Sequence, residues 1–282
     1  MAKEKHHYIP VCYLANFTED GKGIWVYNKQ KQPPYITSIF EIFKEKNLYK
    51  LDESLIPEQY KTILNSKSFE YDFFARGLES QFSNFLNVLT STFNNSYIEE
   101  ISSDECIADE YFFEHIAFHM VIQFFRMPEM QRNVSKLLCE VANKTGLESP
   151  TKNPVIDHMM CLFGDGKLIQ EYKELLLNNI IILCVSRSKP FYTSDVPIIR
   201  ENLPLLDNDF ALDYDKCIIT YPLTKYIMVK IMDKKYYRSR FGDFDRHILF
   251  VDDSYVTSEN KKRMSFSIKE IVSPINDFDS II

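Results

Sequence analysis

Ile180-Ile181-Ile182-Leu183-Cys184-Val185-Ser186 is the stretch on which the fold turns. Four β-branched residues and a leucine in seven positions read as a strand. The run is far too short to cross a bilayer, which takes ~20 apolar residues. Just before it comes a helical block, and just after it the chain returns to strands. Further strands are expected at Cys217–Tyr221 and Tyr226–Met232, where Tyr226, Met228, Lys230 and Met232 alternate with Ile227, Val229 and Ile231. Around Ser258–Arg263 the pattern turns helical again.

The helical block covers roughly 57–180. Tyr71, Phe74, Ala75, Leu78, Phe82, Phe85, Leu86 and Leu89 recur on one helix face, with Ser68 as a cap. A second helix, capped by Asp104, runs from about Cys106 to Met127 and ends where Pro128 turns its predecessor away from helix. A third spans 129–145 and stops before Gly146, and a fourth covers about 167–179. The segment before this block, 1–56, reads as β-rich. Ile24-Trp25-Val26-Tyr27 follows the turn signal Asp20-Gly21-Lys22-Gly23, Pro33-Pro34 interrupts, and Tyr35-Ile36-Thr37 resumes. Residues 201–215 are acidic and loop-like. The expected architecture is a single α+β domain over 1–282, with β-rich segments at 1–56 and 181–282 sharing a sheet and helices between them.

Composition narrows the function. Only 7 of 282 residues are glycine, which argues against phosphate-cradling glycine loops and dinucleotide folds. Six cysteines lack paired spacing, so no zinc ribbon or thioredoxin motif is present. A net charge of −7 disfavours a broad grip on nucleic acid. Lys234-Lys235-Tyr236-Tyr237-Arg238-Ser239-Arg240 is a local exception, and its ordinary reading is a solvated loop or helix face. Residues 1–15 lack the apolar core of a signal peptide, so a cytoplasmic, non-membrane protein is expected.

Two stretches carry chemistry. His6-His7-Tyr8-Ile9-Pro10 lies where many chains have a disposable tail, yet Tyr8, Ile9, Val11, Tyr13, Leu14 and Phe17 look packed. A strand there points His6 and His7 to opposite faces. In Glu114–Arg126, a helix apolar almost all round, His115, His119, Gln123 and Arg126 fall four, four and three residues apart and form one stripe. That stripe faces either a wet cleft or a thin strip of solvent. Histidines four apart can share a metal, and Arg126 suits a carboxylate or a phosphate. Glu79 borders the apolar face of the preceding helix. Asp195, in Tyr192-Thr193-Ser194-Asp195-Val196-Pro197, reads as a turn acid or as a strand-end ligand.

The succession of these pieces resembles domain of unknown function family 4238. The resemblance rests on His6-His7-Tyr8-Ile9-Pro10 with Tyr13, Leu14 and Phe17, then Trp25-Val26-Tyr27, Glu70 and Glu79, Gln123-Phe124-Phe125-Arg126-Met127-Pro128, Tyr192–Pro197, and Tyr221-Pro222-Leu223-Thr224. Val196 and Thr224 depart from the Asn and Ser that this pattern more often carries, and His115 and His119 lie outside it. The resemblance implies a bacterial anti-phage setting rather than a reaction. The matching residues His6, His7, Glu79, Gln123, Arg126 and Asp195 form a catalytic palette. The leading expectation is a phosphodiester-cleaving, nuclease-like hydrolase. There His6 or His7 is the base, and His7, Glu79 and Asp195 hold Mg²⁺ or Mn²⁺ or position water. Arg126 and Gln123 contact the substrate. An NAD or nucleotide hydrolase and a non-catalytic sensor or interaction module are the alternatives.

Overall fold

The computed structural model describes residues 5–52, 77–94, 110–134, 167–201 and 215–282, with 54, 56, 58, 61, 74, 136, 155, 156 and 158. Ser68, Glu70, Asp104, the end of the third expected helix before Gly146 and most of the acidic 201–215 stretch lie outside these residues.

The described chain is α+β. The strands are β1 (Lys5–His7), β2 (Gly23–Asn28), β3 (Lys31–Ser38), β4 (Lys44–Lys46), β5 (Ile180–Ser186), β6 (Thr193–Ser194), β7 (Ile199–Glu201), β8 (Ile218–Pro222), β9 (Ile227–Met232), β10 (Ile248–Val251) and β11 (Glu270–Ser273). The helices are α1 (Val11–Ala15), α2 (Glu79–Asn94), α3 (Glu110–Arg126), α4 (Lys167–Leu177), α5 (Lys234–Phe241) and α6 (Asp253–Phe266). The chain is helical again over 128–134, with Pro128 at the start, where its missing N–H costs nothing.

The opening stretch, β5, lies in a five-stranded sheet of order β10-β5-β9-β8-β7, in which only the β10–β5 pair is parallel. All seven of its residues are buried because both faces are covered. Ile181, Leu183 and Val185 pack into the large core with Phe82, Leu86, Phe113 and Leu176 of α2, α3 and α4. Ile180, Ile182 and Cys184 face the other way, among Val256 of α6 and Tyr237 and Phe241 of α5. A strand sandwiched in this manner must be apolar at every position.

The expected sharing of a sheet by the two ends of the chain is realised. A second, antiparallel sheet has the order β3-β2-β11-β6, so that β11 lies between the early strand β2 and the Thr193-Ser194 strand. One detail differs from the sequence reading. Pro33-Pro34 does not interrupt the strand: β3 runs through both prolines. It is an edge strand, and its register slips opposite Val26 and Asn28, so the missing donors fall in an irregular stretch. The basic heptad 234–240 resolves as helix α5, with Asp233 as its N-cap accepting from the Lys235 amide. No described helix is long and apolar enough to cross a membrane.

Candidate functional site

The N-terminal pentad is folded structure. β1 pairs antiparallel with β4, His6 opposite Glu45 and His7 opposite Lys44. The two imidazoles part company as strand alternation requires. His6 is buried, stacks on Tyr49 at 5.8 Å, and its Nδ1 accepts the Tyr49 amide at 2.9 Å. That bond fixes its tautomer and makes His6 a brace. Phe43 takes a left-handed φ of 53°, unusual for a bulky residue, and its carbonyl accepts the Tyr8 amide at 3.1 Å.

The end of α3 reaches these strands. Arg126 donates through Nη2 to the His7 carbonyl at 2.9 Å and to Glu79 Oε1 of α2 at 2.6 Å. Its guanidinium lies 4.3 Å over the Phe74 ring, and its side chain is 1% exposed. One turn earlier, Gln123 Nε2 donates to the Tyr8 carbonyl at 3.0 Å. That bond orients the amide and leaves its Oε1 buried without a partner. The last residue of an α-helix is a favourable place for a cation, since the helix carbonyls point there.

A small, partly open cleft forms at this junction. It is lined by Pro10, Leu78, Glu79, Phe82, His119, Ile122, Gln123 and Arg126, with room for about one water molecule. His119 stacks on Phe82 at 4.4 Å, and its Nε2 is buried without a partner. Burial, aided by the neighbouring His115, pushes the His119 imidazole down to about 3, so it is neutral at pH 7. Burial, then the Lys44 ammonium, also holds His7 below the ordinary imidazole value, and its Nε2 too is buried without a partner. The Tyr221 hydroxyl is a further buried orphan, close enough to Arg126 for the guanidinium to oppose its strong upward shift from burial. Unpaired buried polar atoms usually cost ~1–3 kcal/mol each, and two of these four, His119 Nε2 and Gln123 Oε1, belong to residues that line the cleft.

Not every expected residue comes here. Glu79, Gln123 and Arg126 line the cleft; His7 meets Arg126 through its backbone carbonyl, and neither it nor Asp195 lines the cleft. The Asp195 carboxylate accepts the backbone amides of Ile268, Lys269 and Glu270 at 3.0, 2.6 and 3.1 Å, and its own amide donates to the Glu270 carbonyl. Asp195 therefore clips β6 to the start of β11. The other residues of its motif are braces too. Thr193 Oγ1 bonds the Tyr13 hydroxyl at 2.8 Å, and the Pro197 carbonyl accepts from Arg263.

The expected metal set is not assembled. Among the described residues no three His, Cys, Asp or Glu side chains gather as a metal site. Asp195 is engaged by three amides and Glu79 by a guanidinium, so His7, Glu79 and Asp195 do not fit one ion. His115 and His119 stack at 6.2 Å, with His115 edge-on to Tyr111 and His119 against Phe82, so their rings belong to an aromatic column. Sequence reasoning found the His119–Gln123–Arg126 stripe but missed Phe82 and Pro10 as its walls and Tyr221 beside it. Phe82 was visible only as core periodicity.

No curated protein and no solved structure matches the chain. The model of one protein family, described as a protein of unknown function, matches residues 5–276. That span contains every stretch just described, from the His6-His7 strand to the strand that Asp195 clips, and the chain belongs to this family, DUF4238.

Proposed function

We propose that the chain is a hydrolase of phosphate-bearing substrates, with the cleft between α2, α3 and Pro10 as the seat of a reacting water. One observation carries this reading. A carboxylate, an unpaired amide oxygen and an unpaired neutral imidazole line a cleft about the size of a single water. Glu79 Oε1 is held by Arg126, and among the described residues Oε2 accepts no hydrogen bond. Oε2 and Gln123 Oε1 would accept the two protons of a water, turning an oxygen lone pair toward the cleft mouth; Glu79 would take one proton as the new O–P bond forms, while the P–O bond to the leaving group breaks and the leaving oxygen departs to solvent, which protonates it. Arg126 positions Glu79.

A nuclease-like effector in anti-phage defence is the leading form of this activity. Hydrolysis of a nucleotide or NAD is the second form, for which the chain's net charge of −7 is no handicap. A bracing or sensing module without chemistry is the competing reading. The test is incubation with DNA, RNA, tRNA and nucleotides, with Mg²⁺, with Mn²⁺ and with EDTA, using wild type, Glu79→Gln and His119→Asn. Glu79→Gln keeps an oxygen for Arg126 but removes its charge partner, so the melting temperature should fall while turnover, read per folded molecule, should drop about 10²–10⁴-fold. Turnover that survives Glu79→Gln sinks the hydrolytic reading. A folded protein that turns over none of these substrates favours the module.

A further inference from the structure

Helix α5 carries Lys234, Lys235, Arg238 and Arg240 and no carboxylate in its eight residues, and none of them is buried. This occurs in a chain of net charge −7. Tyr237 and Phe241, four apart, pack against the sheet, which leaves Lys235, Tyr236, Arg238 and Arg240 outward. Tyr236 is 54% exposed, with the Lys216 ammonium 4.9 Å from its ring centroid and the Tyr237 ring edge-on to it, and Phe244 just beyond the helix is 38% exposed; a stacking base would displace or share the Lys216 contact. Here Lys234 and Lys235 have only the loose partners Asp245 at 3.5 Å and Asp215 at 3.6 Å. Arg238 and Arg240 have no carboxylate in ion-pair reach among the described residues.

We propose that α5 binds single-stranded nucleic acid, with Arg238 and Arg240 on phosphates and Tyr236 stacking on a base. Cations interleaved with an exposed ring are what a flexible polyanion with flat bases needs, and a duplex would leave the ring unused. The surface is separate from the cleft. α5 packs on the β5 face of Ile180 and Ile182, whereas α2 and α3 pack on the face of Ile181 and Leu183. The inference therefore stands whether or not the cleft hydrolyses anything.

The experiment is fluorescence anisotropy of the full chain with labelled oligo(dT) and oligo(U) of about 15 nucleotides. Two or three phosphate contacts predict about tenfold weaker binding when salt rises from about 50 to about 200 mM. Arg238→Glu with Arg240→Glu should weaken binding tenfold or more, and Tyr236→Ala about fivefold or more. Lys22→Glu with Lys31→Glu, an equal charge change on the exposed β2–β3 side, should leave binding unchanged, and all variants should keep the wild-type melting temperature. The proposal is overturned if the arginine pair has no effect, if the control pair weakens binding equally, or if Tyr236→Ala binds like wild type. It is also overturned if the wild type binds phosphatidylserine vesicles but neither oligonucleotide.

Discussion

Arg126 commits its guanidinium to Glu79 and to the His7 carbonyl while lying against Phe74. Arg126→Met removes the cation and strands a carboxylate and a carbonyl. The expected loss is about 3 kcal/mol, at the low end for broken buried pairs because the Glu79 side chain keeps 20% exposure, read as a lower urea midpoint. The histidines add a pH dependence. Burial holds His119 at about 3 and His158 at about 4, both below the 6.5 of an exposed imidazole. Below pH 6.5 the unfolded chain binds protons that the folded one refuses. Their stabilising effect is thus complete above 6.5 and declines as pH falls toward 3 to 4, by up to about 1.4 kcal/mol per pH unit for each imidazole. Thermal melts from pH 7 to 4 should show the decline, and His119→Phe should make it shallower. A melting temperature indifferent to pH over this range would contradict the burial of both rings.

At the scale of elements, the clip from Asp195 to the amides of 268–270 holds β6 against β11. Burial raises the Asp195 carboxyl despite those three bonds, so the clip holds its charge at some cost and serves geometry. Asp195→Asn keeps the shape but turns one acceptor into a donor facing amides. It should lose about 1–3 kcal/mol in denaturant melts while leaving the turnover of the folded fraction unchanged. Loss of turnover without loss of stability would return Asp195 to the catalytic set. The contrast with Arg126 shows what the sequence could and could not tell. The β5 strand, α4 and the polar stripe of α3 were legible because their signals are local: β-branching and a 3.6-residue period. The partnerships were not, since Glu79 meets Arg126 across 47 positions and Arg126 meets His7 across 119. Asp195 looked like a candidate ligand because an acid at a strand end has the same signature whether it faces a metal or three amides. The prolines of β3 misled because an edge strand tolerates what an inner strand cannot.

At the scale of the whole molecule, the five- and four-stranded sheets share with α1, α2, α3 and α4 one large core that runs from Ile9 to Val272. β11 is not trim at its margin: Ile271 and Val272 are fully buried, and both β2 and β6 depend on it for partners. Deleting 268–282 should therefore unfold the chain, seen as lost near-ultraviolet dichroism and fast proteolysis, whereas a peripheral strand would come away with the rest intact. The same placement has a consequence in time. Asn28 leaves the ribosome 242 residues ahead of Glu270, the residue opposite it. During synthesis, at ~5–20 residues per second, the early hairpin must wait tens of seconds with one side of its ladder open. The four-stranded sheet therefore closes only after β11 has emerged. Chaperone demand and aggregation during translation should both fall on that interval.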